Sequence, residues 1–248
     1  MNINSTITRL SLILLLSTML AGSQAGTTFA QKRRIPTGGR LAIVVDERLS
    51  ALRVAPNLSA RLVERLSRGR FVAIIGTAHD REGVTFYRVK ATRRRHGWIQ
   101  SDAVISSSQP TDDQRLMRLI RDAKEFELVA RARIFLDVFP LSPLRPTVLL
   151  LCGDAAEEVT EKLSNEAARR LDEEKIAANG APQFTYFMNY NGLDRYNRQG
   201  VKFVFDRSAK RFHYDGAAWR ELVQRYPQSP EAAEARKRLE FFDAGGKR

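Results

Sequence analysis

The spacing of apolar residues divides the chain into two regions. Across residues 40–104, short runs alternate in the manner of strands, and no helical period lasts more than two turns. The clearest runs are residues 41–45, 71–75 and 87–91. Several short strands at close spacing indicate a small sandwich or barrel. We therefore predict a β domain over residues 36–106.

A helical period replaces this alternation after residues 107–112, which contain serine and proline and are predicted to be a linker. Apolar residues then recur at steps of three, four or one across residues 116–138. This spacing predicts one long helix. Thr111 and Gln114 fit a capping box at its start, and Pro140 ends it.

The helical domain is predicted to span residues 113–243. A second long helix is expected from near residue 147 to near residue 178, and a β-hairpin is expected near residues 201–214. Helical spacing returns at Trp219 and continues to the end of the domain. The predicted fold class is therefore α+β with two domains, a small β-barrel followed by helical hairpins with an inserted β-hairpin.

An aromatic-Pro-x-Ser-Pro element occurs twice, at residues 139–143 and at residues 226–230. Each copy follows an apolar helix end, and its second proline follows a serine that can begin the next helix. Helical hairpins that repeat in this way are the unit of solenoid proteins. The copies are separated by 87 residues, which is not a multiple of the usual repeat of about 34. The array is therefore predicted to be irregular.

The first residues have the order of a secretory signal. Arg9 precedes the apolar run 10–20, and small residues follow, including Ser23 and Ala25. The run is about half the length that crosses a bilayer. We predict a signal peptide over residues 1–25, cleaved after Ala25, and an extracytoplasmic protein, either periplasmic or secreted. Ser23 stands where a lipoprotein signal has cysteine, so lipidation is not expected, and no later run is long enough to span a membrane.

The positive charge belongs to the predicted β domain. Residues 31–108 contain 16 Lys and Arg against 6 Asp and Glu, whereas residues 109–248 contain 24 against 22. A localised positive field attracts polyanions, and outside the cytoplasm these are anionic lipids and wall polymers. Nucleic acid is not expected as a partner, because no motif of a known nucleic-acid reader accompanies the charge.

The densest basic motif lies directly before Trp98. Arg93, Arg94, Arg95 and His96 can hold phosphate or carboxylate while the indole stacks on a sugar ring or amide. The alternative is a solvated loop beside a tryptophan that belongs to the core. These five residues are the candidate ligand site.

Catalytic chemistry has weaker candidates. Cys152 stands alone in an apolar run, which favours a small buried side chain over a reactive thiol. The three histidines form no helical metal-binding motif. A cell-wall hydrolase that uses carboxylates remains the enzyme alternative. The carboxylates considered lie on a predicted helix and fit its solvated face better: Glu157, Glu158, Glu161 and Glu166.

Four short motifs of the β region resemble bacterial SH3-like domains over about 65 residues. The resemblance implies a small barrel in an extracytoplasmic protein that binds peptidoglycan or another wall component, and it adds Arg53 and Tyr87 to the candidate ligand site. The matching residues are Leu52-Arg53-Val54 with Pro56, Gly69 before the strand at Phe71, Tyr87-Arg88-Val89, and Gly97-Trp98-Ile99.

The helical region resembles the tetratricopeptide-like repeats of envelope proteins. The resemblance rests on the repeated proline element and on Leu151-Cys152-Gly153-Asp154. It implies a scaffold that binds a protein partner and needs no cofactor. Taken together, the sequence predicts an exported, non-catalytic binding protein whose basic SH3-like domain contacts peptidoglycan or another anionic envelope polymer and whose helical repeats bind protein.

Overall fold

Residues 38–106 of the computed structural model form mainly one antiparallel sheet. The model describes residues 38–171, 178 and 180–245, so the predicted signal peptide lies outside the described residues. The sheet runs in the order β3-β2-β6-β5-β4-β1-β7. Its strands are β1 (Arg40–Val44), β2 (Ala51–Arg53), β3 (Leu62–Arg65), β4 (Phe71–His79), β5 (Thr85–Lys90), β6 (His96–Gln100) and β7 (Val104–Ile105).

The sheet is open, because β3 and β7 are its two ends and do not pair with each other. The closed barrel expected from the sequence is therefore not seen. Alternation along a strand shows which side is inside but not whether the last strand returns to the first. One face packs a cluster of buried apolar side chains that includes Leu52, Val72, Val89 and Ile99.

The remaining described chain is helical, apart from one β-hairpin. The hairpin pairs β8 (Phe203–Asp206) with β9 (Arg211–Tyr214), as the sequence predicted. The helices are α1 (Asp112–Arg121), α2 (Glu125–Val138), α3 (Arg145–Arg170), α4 (Gln183–Met188), α5 (Asp194–Asn197), α6 (Ala217–Arg225) and α7 (Pro230–Gly245).

The single helix predicted across residues 116–138 is wrong, because the chain breaks between α1 and α2. Lys124 has an extended backbone there, and the two helices then pack against each other. Their apolar stripes keep the same spacing across the break, so periodicity could not show it. The predicted capping box is also absent, since Thr111 has a left-handed backbone with φ 67° and makes no side-chain cap.

Two helical hairpins, α2–α3 and α6–α7, stack on each other at the two copies of the proline element. Arg145 joins them: its Nε donates to the hydroxyl of Tyr226 at 3.1 Å, and its Nη1 donates to the carbonyl of Leu136 at 2.6 Å. Thr147 Oγ1 donates to Glu231 Oε1 at 2.6 Å. The repeated sequence element therefore marks two neighbouring turns of the fold.

The Gly153-Asp154 pair fixes this stacking. A Cβ atom at Gly153 would overlap the indole of Trp219, so the glycine allows α6 to approach α3 closely. Asp154 Oδ1 accepts a hydrogen bond from Trp219 Nε1 at 3.1 Å. The same carboxylate binds Arg238 of α7 through two bonds of 2.6 and 3.0 Å. One short motif in α3 thus anchors both helices of the second hairpin.

The sheet also packs directly against the helices. Ile43, Val45 and Ile105 belong to the same hydrophobic cluster as the cores of α1, α2 and α3. Arg68 of the β3–β4 connection contacts Glu127 of α2 at 3.1 Å. The described residues belong to one compact unit, and the division into two domains stays a prediction.

Candidate anion-binding face

Three neighbouring strands place an aromatic residue between two arginines. Trp98 of β6 lies opposite Arg53 of β2 on one side and opposite Arg88 of β5 on the other. Residues directly opposite each other in an antiparallel pair project from the same face, with Cβ atoms about 5 Å apart. Arg53, Trp98 and Arg88 therefore form a row across the sheet.

A second row continues the same face toward the β5–β6 turn. Lys90 lies opposite His96, two residues from Arg88 and Trp98 respectively. Because side chains alternate along a strand, both pairs project from one side of the sheet. We call the side chains on this side and in the adjoining turn the basic face; it consists of Arg53, Arg88, Lys90, Arg93, Arg94, Arg95, His96 and Trp98.

The turn itself has a defined structure that presents its arginines. Ala91 N–H donates to the carbonyl of Arg95 at 2.9 Å. The Thr92 hydroxyl oxygen accepts the backbone N–H groups of Arg94 and Arg95 at 3.3 and 3.0 Å. A threonine that binds the following backbone in this way stabilises a tight turn. The guanidinium groups of Arg93 and Arg94 are consequently exposed at its tip.

The charges of the basic face are largely without carboxylate partners. Arg95 pairs with Glu64 of β3. No ion pair is found for Arg88, Lys90, Arg93 or Arg94 within residues 38–171, 178 and 180–245. Unpaired guanidinium and ammonium groups close together produce a positive potential that concentrates anions.

Trp98 is partly exposed and belongs to neither hydrophobic cluster. Its indole is therefore accessible in part, and its role in ligand binding stays a prediction. Arg53 beside it is held in place, because its Nη1 donates to the carbonyl of Ala60 at 2.8 Å. A fixed guanidinium next to a partly exposed indole can bind an anionic group and an adjoining ring together.

Tyr87 is not part of this arrangement. It packs against the sheet's buried cluster, so it lies on the opposite face from its neighbour Arg88. There it borders a cavity of about 140 Å³, and the guanidinium of Arg40 lies 5.4 Å from its ring centre. Trp98 pairs with Arg88, whose side chain lies on the other side of β5 from that of Tyr87. This separation follows from the register of β5 with β6 and cannot be read from either strand alone.

The cavity beside Tyr87 is lined by polar groups that satisfy one another. Arg115 Nε binds Asp112 at 3.2 Å, and Asp112 accepts the backbone N–H of Ser106 at 2.8 Å. Arg40 donates to Gln109 at 3.0 Å. These contacts join the start of α1 to the sheet, and the charge of Arg115 is balanced by the carboxylate of Asp112.

Cys152 is buried, and its burial raises the pKa of the thiol to about 12. A nucleophilic cysteine requires a lowered pKa, so its surroundings disfavour the thiolate. The sequence interpretation of a small buried side chain is confirmed. Across the described part of the chain, no group of three or more His, Cys, Asp or Glu is placed to hold a metal ion.

Of the four glutamates considered on α3, two are exposed to solvent and two bind other parts of the chain. Glu158 and Glu161 are exposed, as expected for a solvated face. Glu157 accepts the backbone N–H of Tyr214 at 2.8 Å, and Glu166 accepts the hydroxyl of Tyr190 at 3.1 Å. These two therefore attach β9 and the segment after α4 to α3.

Arg88 and Lys90 were missed as site residues, although alternation along β5 puts them on one side of the strand. The sequence alone could not show that β5 pairs with β6, which brings Arg88 beside Trp98.

Comparisons with protein families, characterised proteins and solved structures gave no match. Among the described helices, none combines the length and apolar character needed to cross a membrane.

Proposed function

We propose that the protein is an exported, non-catalytic binding protein whose basic face binds an anionic polymer of the cell envelope, with peptidoglycan as the first candidate. The observation that carries the proposal is the row of Arg53, Trp98 and Arg88 next to the exposed Arg93 and Arg94. The apolar run and small residues at the start of the chain support export.

The chemistry of this face suits carboxylate or phosphate groups carried on sugars or short peptides. Each guanidinium can form two parallel hydrogen bonds to such a group, whereas an ammonium acts as a point charge. An indole beside them offers a flat apolar surface to a ring or amide. Peptidoglycan contains both features, sugar rings and free carboxylates.

The helical hairpins are proposed to bind a protein partner. Leu141, at the turn between α2 and α3, is 94% exposed, and Phe241 near the end of α7 is 84% exposed. Side chains of this kind supply an interaction surface where they form a continuous patch. The SH3-like and tetratricopeptide-like resemblances agree with this division of binding between the two regions.

Cosedimentation with purified peptidoglycan at low and high salt tests the proposal. The double variant Arg93→Glu/Arg94→Glu is expected to reduce binding at low salt by about tenfold or more, because two attractions become repulsions. Trp98→Ala is expected to weaken binding at both salt concentrations, since stacking is not screened by ions.

The matched control is Arg118→Glu/Arg121→Glu on α1, which changes the net charge equally at exposed positions of the helical region. Equal loss of binding in both double variants would show that binding depends on net charge alone and would refute a site on the basic face. Muropeptide release from the same wall preparation would identify a hydrolase instead.

A further inference from the structure

The end strand β3 has one edge with which no other strand of the described residues pairs. Its one neighbour among the described strands is β2. Leu66 N–H donates to Ser50 at one end of the ladder, and Val54 N–H donates to Arg61 at the other. The register shifts by one residue within this ladder, so Arg65 lies opposite Ala51 and Leu62 lies opposite Arg53. Backbone groups alternate in direction on either side of the shift, and those of Leu62 and Arg65 therefore face away from β2. They are positioned to pair with another strand.

Exposed apolar side chains are concentrated at this edge. Leu62 is 48% exposed and Val63 is 42% exposed, and they lie in a segment that also contains the exposed Val54 and Leu58. An uncovered edge with apolar side chains is a template for strand addition. Proteins usually protect such edges, so this one is a candidate interaction surface.

The charges at the edge select the partner. Arg61 and Arg65 are exposed at the two ends of the apolar pair, and Arg53 lies opposite Leu62. Glu64, the acidic residue within β3, is paired with Arg95. A second copy of the same edge would bring arginines against arginines, which opposes self-pairing. An acidic strand would bring carboxylates against them.

We propose that an extended acidic peptide segment of a partner protein adds to the sheet at β3. Its backbone pairs with the outward groups of Leu62 and Arg65, its apolar side chains cover Leu62 and Val63, and its carboxylates face Arg61 and Arg65. The edge adjoins the basic face, because Glu64 of β3 binds Arg95 of the β5–β6 turn.

Fluorescence anisotropy with a labelled, end-capped peptide of alternating valine and glutamate tests the proposal on the full chain. We expect saturable binding that falls by about tenfold or more in Arg61→Glu. Leu62→Ser is expected to weaken binding as well. N-methylation of every second peptide amide should abolish binding when it blocks the groups that face β3, because strand addition depends on them.

Matched control variants distinguish peptide binding at β3 from binding elsewhere on the protein. Arg118→Glu and Val204→Ser change exposed residues outside the seven-stranded sheet and are expected to bind the peptide normally. Arg93→Glu/Arg94→Glu is expected to lose less binding than Arg61→Glu does. Undiminished binding of the N-methylated peptide, or of Arg61→Glu, would overturn the proposal. So would dimerisation in sedimentation that Leu62→Ser abolishes, since a second copy would then occupy the edge.

Discussion

Arginine serves different purposes in the sheet and in the helical region. In the helices, Arg131 and Arg145 are buried, and their guanidinium groups bind backbone carbonyls and carboxylates. In the sheet, Arg88, Arg93 and Arg94 are exposed, and no ion pair is recorded for them within the described residues. The same side chain forms internal bonds in one region and is exposed in the other, where we propose that it binds an anion.

The number of acidic residues in each region explains why arginines are paired in the helices and exposed in the sheet. The second half of the chain nearly balances its charges, with 24 basic against 22 acidic residues, while residues 31–108 have 16 against 6. A buried guanidinium must find partners for its donors, or burial becomes too costly. Where carboxylates are scarce, arginines stay in solvent and attract anions from outside.

The largest effect on stability is expected at Arg145. Arg145→Met leaves the Leu136 carbonyl and the Tyr226 hydroxyl without their donor, and it removes a contact of 3.4 Å to Glu221. Glu221 is about one third exposed, so solvent screens part of that ion pair. We expect a loss of about 3 kcal/mol in the free energy of unfolding, measured with urea.

Arg118→Met is the control for this variant, because Arg118 is exposed on α1. It should leave the urea midpoint nearly unchanged. If Arg145→Met unfolds at the same urea concentration as the unaltered protein, then buried arginines of the helices do not stabilise the fold, and the contrast with the exposed arginines of the sheet is refuted.

A smaller loss is expected for Gly153→Ala. The added methyl group must displace the indole of Trp219, which costs about 1 to 3 kcal/mol. Alanine is favoured over glycine within a helix by about 1 kcal/mol, which offsets part of that cost. The net loss should be about 1 kcal/mol, and tryptophan fluorescence should change with it.

Gly76→Ala is a suitable comparison, because a Cβ there meets Arg88 at an ordinary distance of 3.6 Å. It should change stability less than Gly153→Ala does, and leave the fluorescence unchanged. A larger loss at Gly76 would contradict the importance of close packing between α3 and α6.

The smallest effect on stability is expected for Arg93→Glu/Arg94→Glu. Both side chains project from a turn that is held by backbone bonds and by Thr92, none of which the variant removes. The urea midpoint should stay the same while peptidoglycan binding falls. A lowered midpoint would mean that these arginines support the fold and would remove the distinction between the two regions.

The sequence predicted the site only in part. The arginines of the turn were found because they are consecutive and precede Trp98, a purely local pattern. The structure places Arg88 beside Trp98 and Tyr87 on the opposite face, and both placements depend on how β5 pairs with β6. Strand register is set by contacts between distant parts of the chain.

Local patterning determined the types of element, the β-hairpin at β8 and β9, the repeated proline turns and the uneven distribution of charge. Each of these depends on neighbours within a few residues, where period and turn chemistry act directly. The tertiary structure decided that the sheet is open, that the helix breaks near Lys124, and which arginines are buried. Those outcomes depend on which surfaces meet, since burial and pairing are properties of the assembled chain.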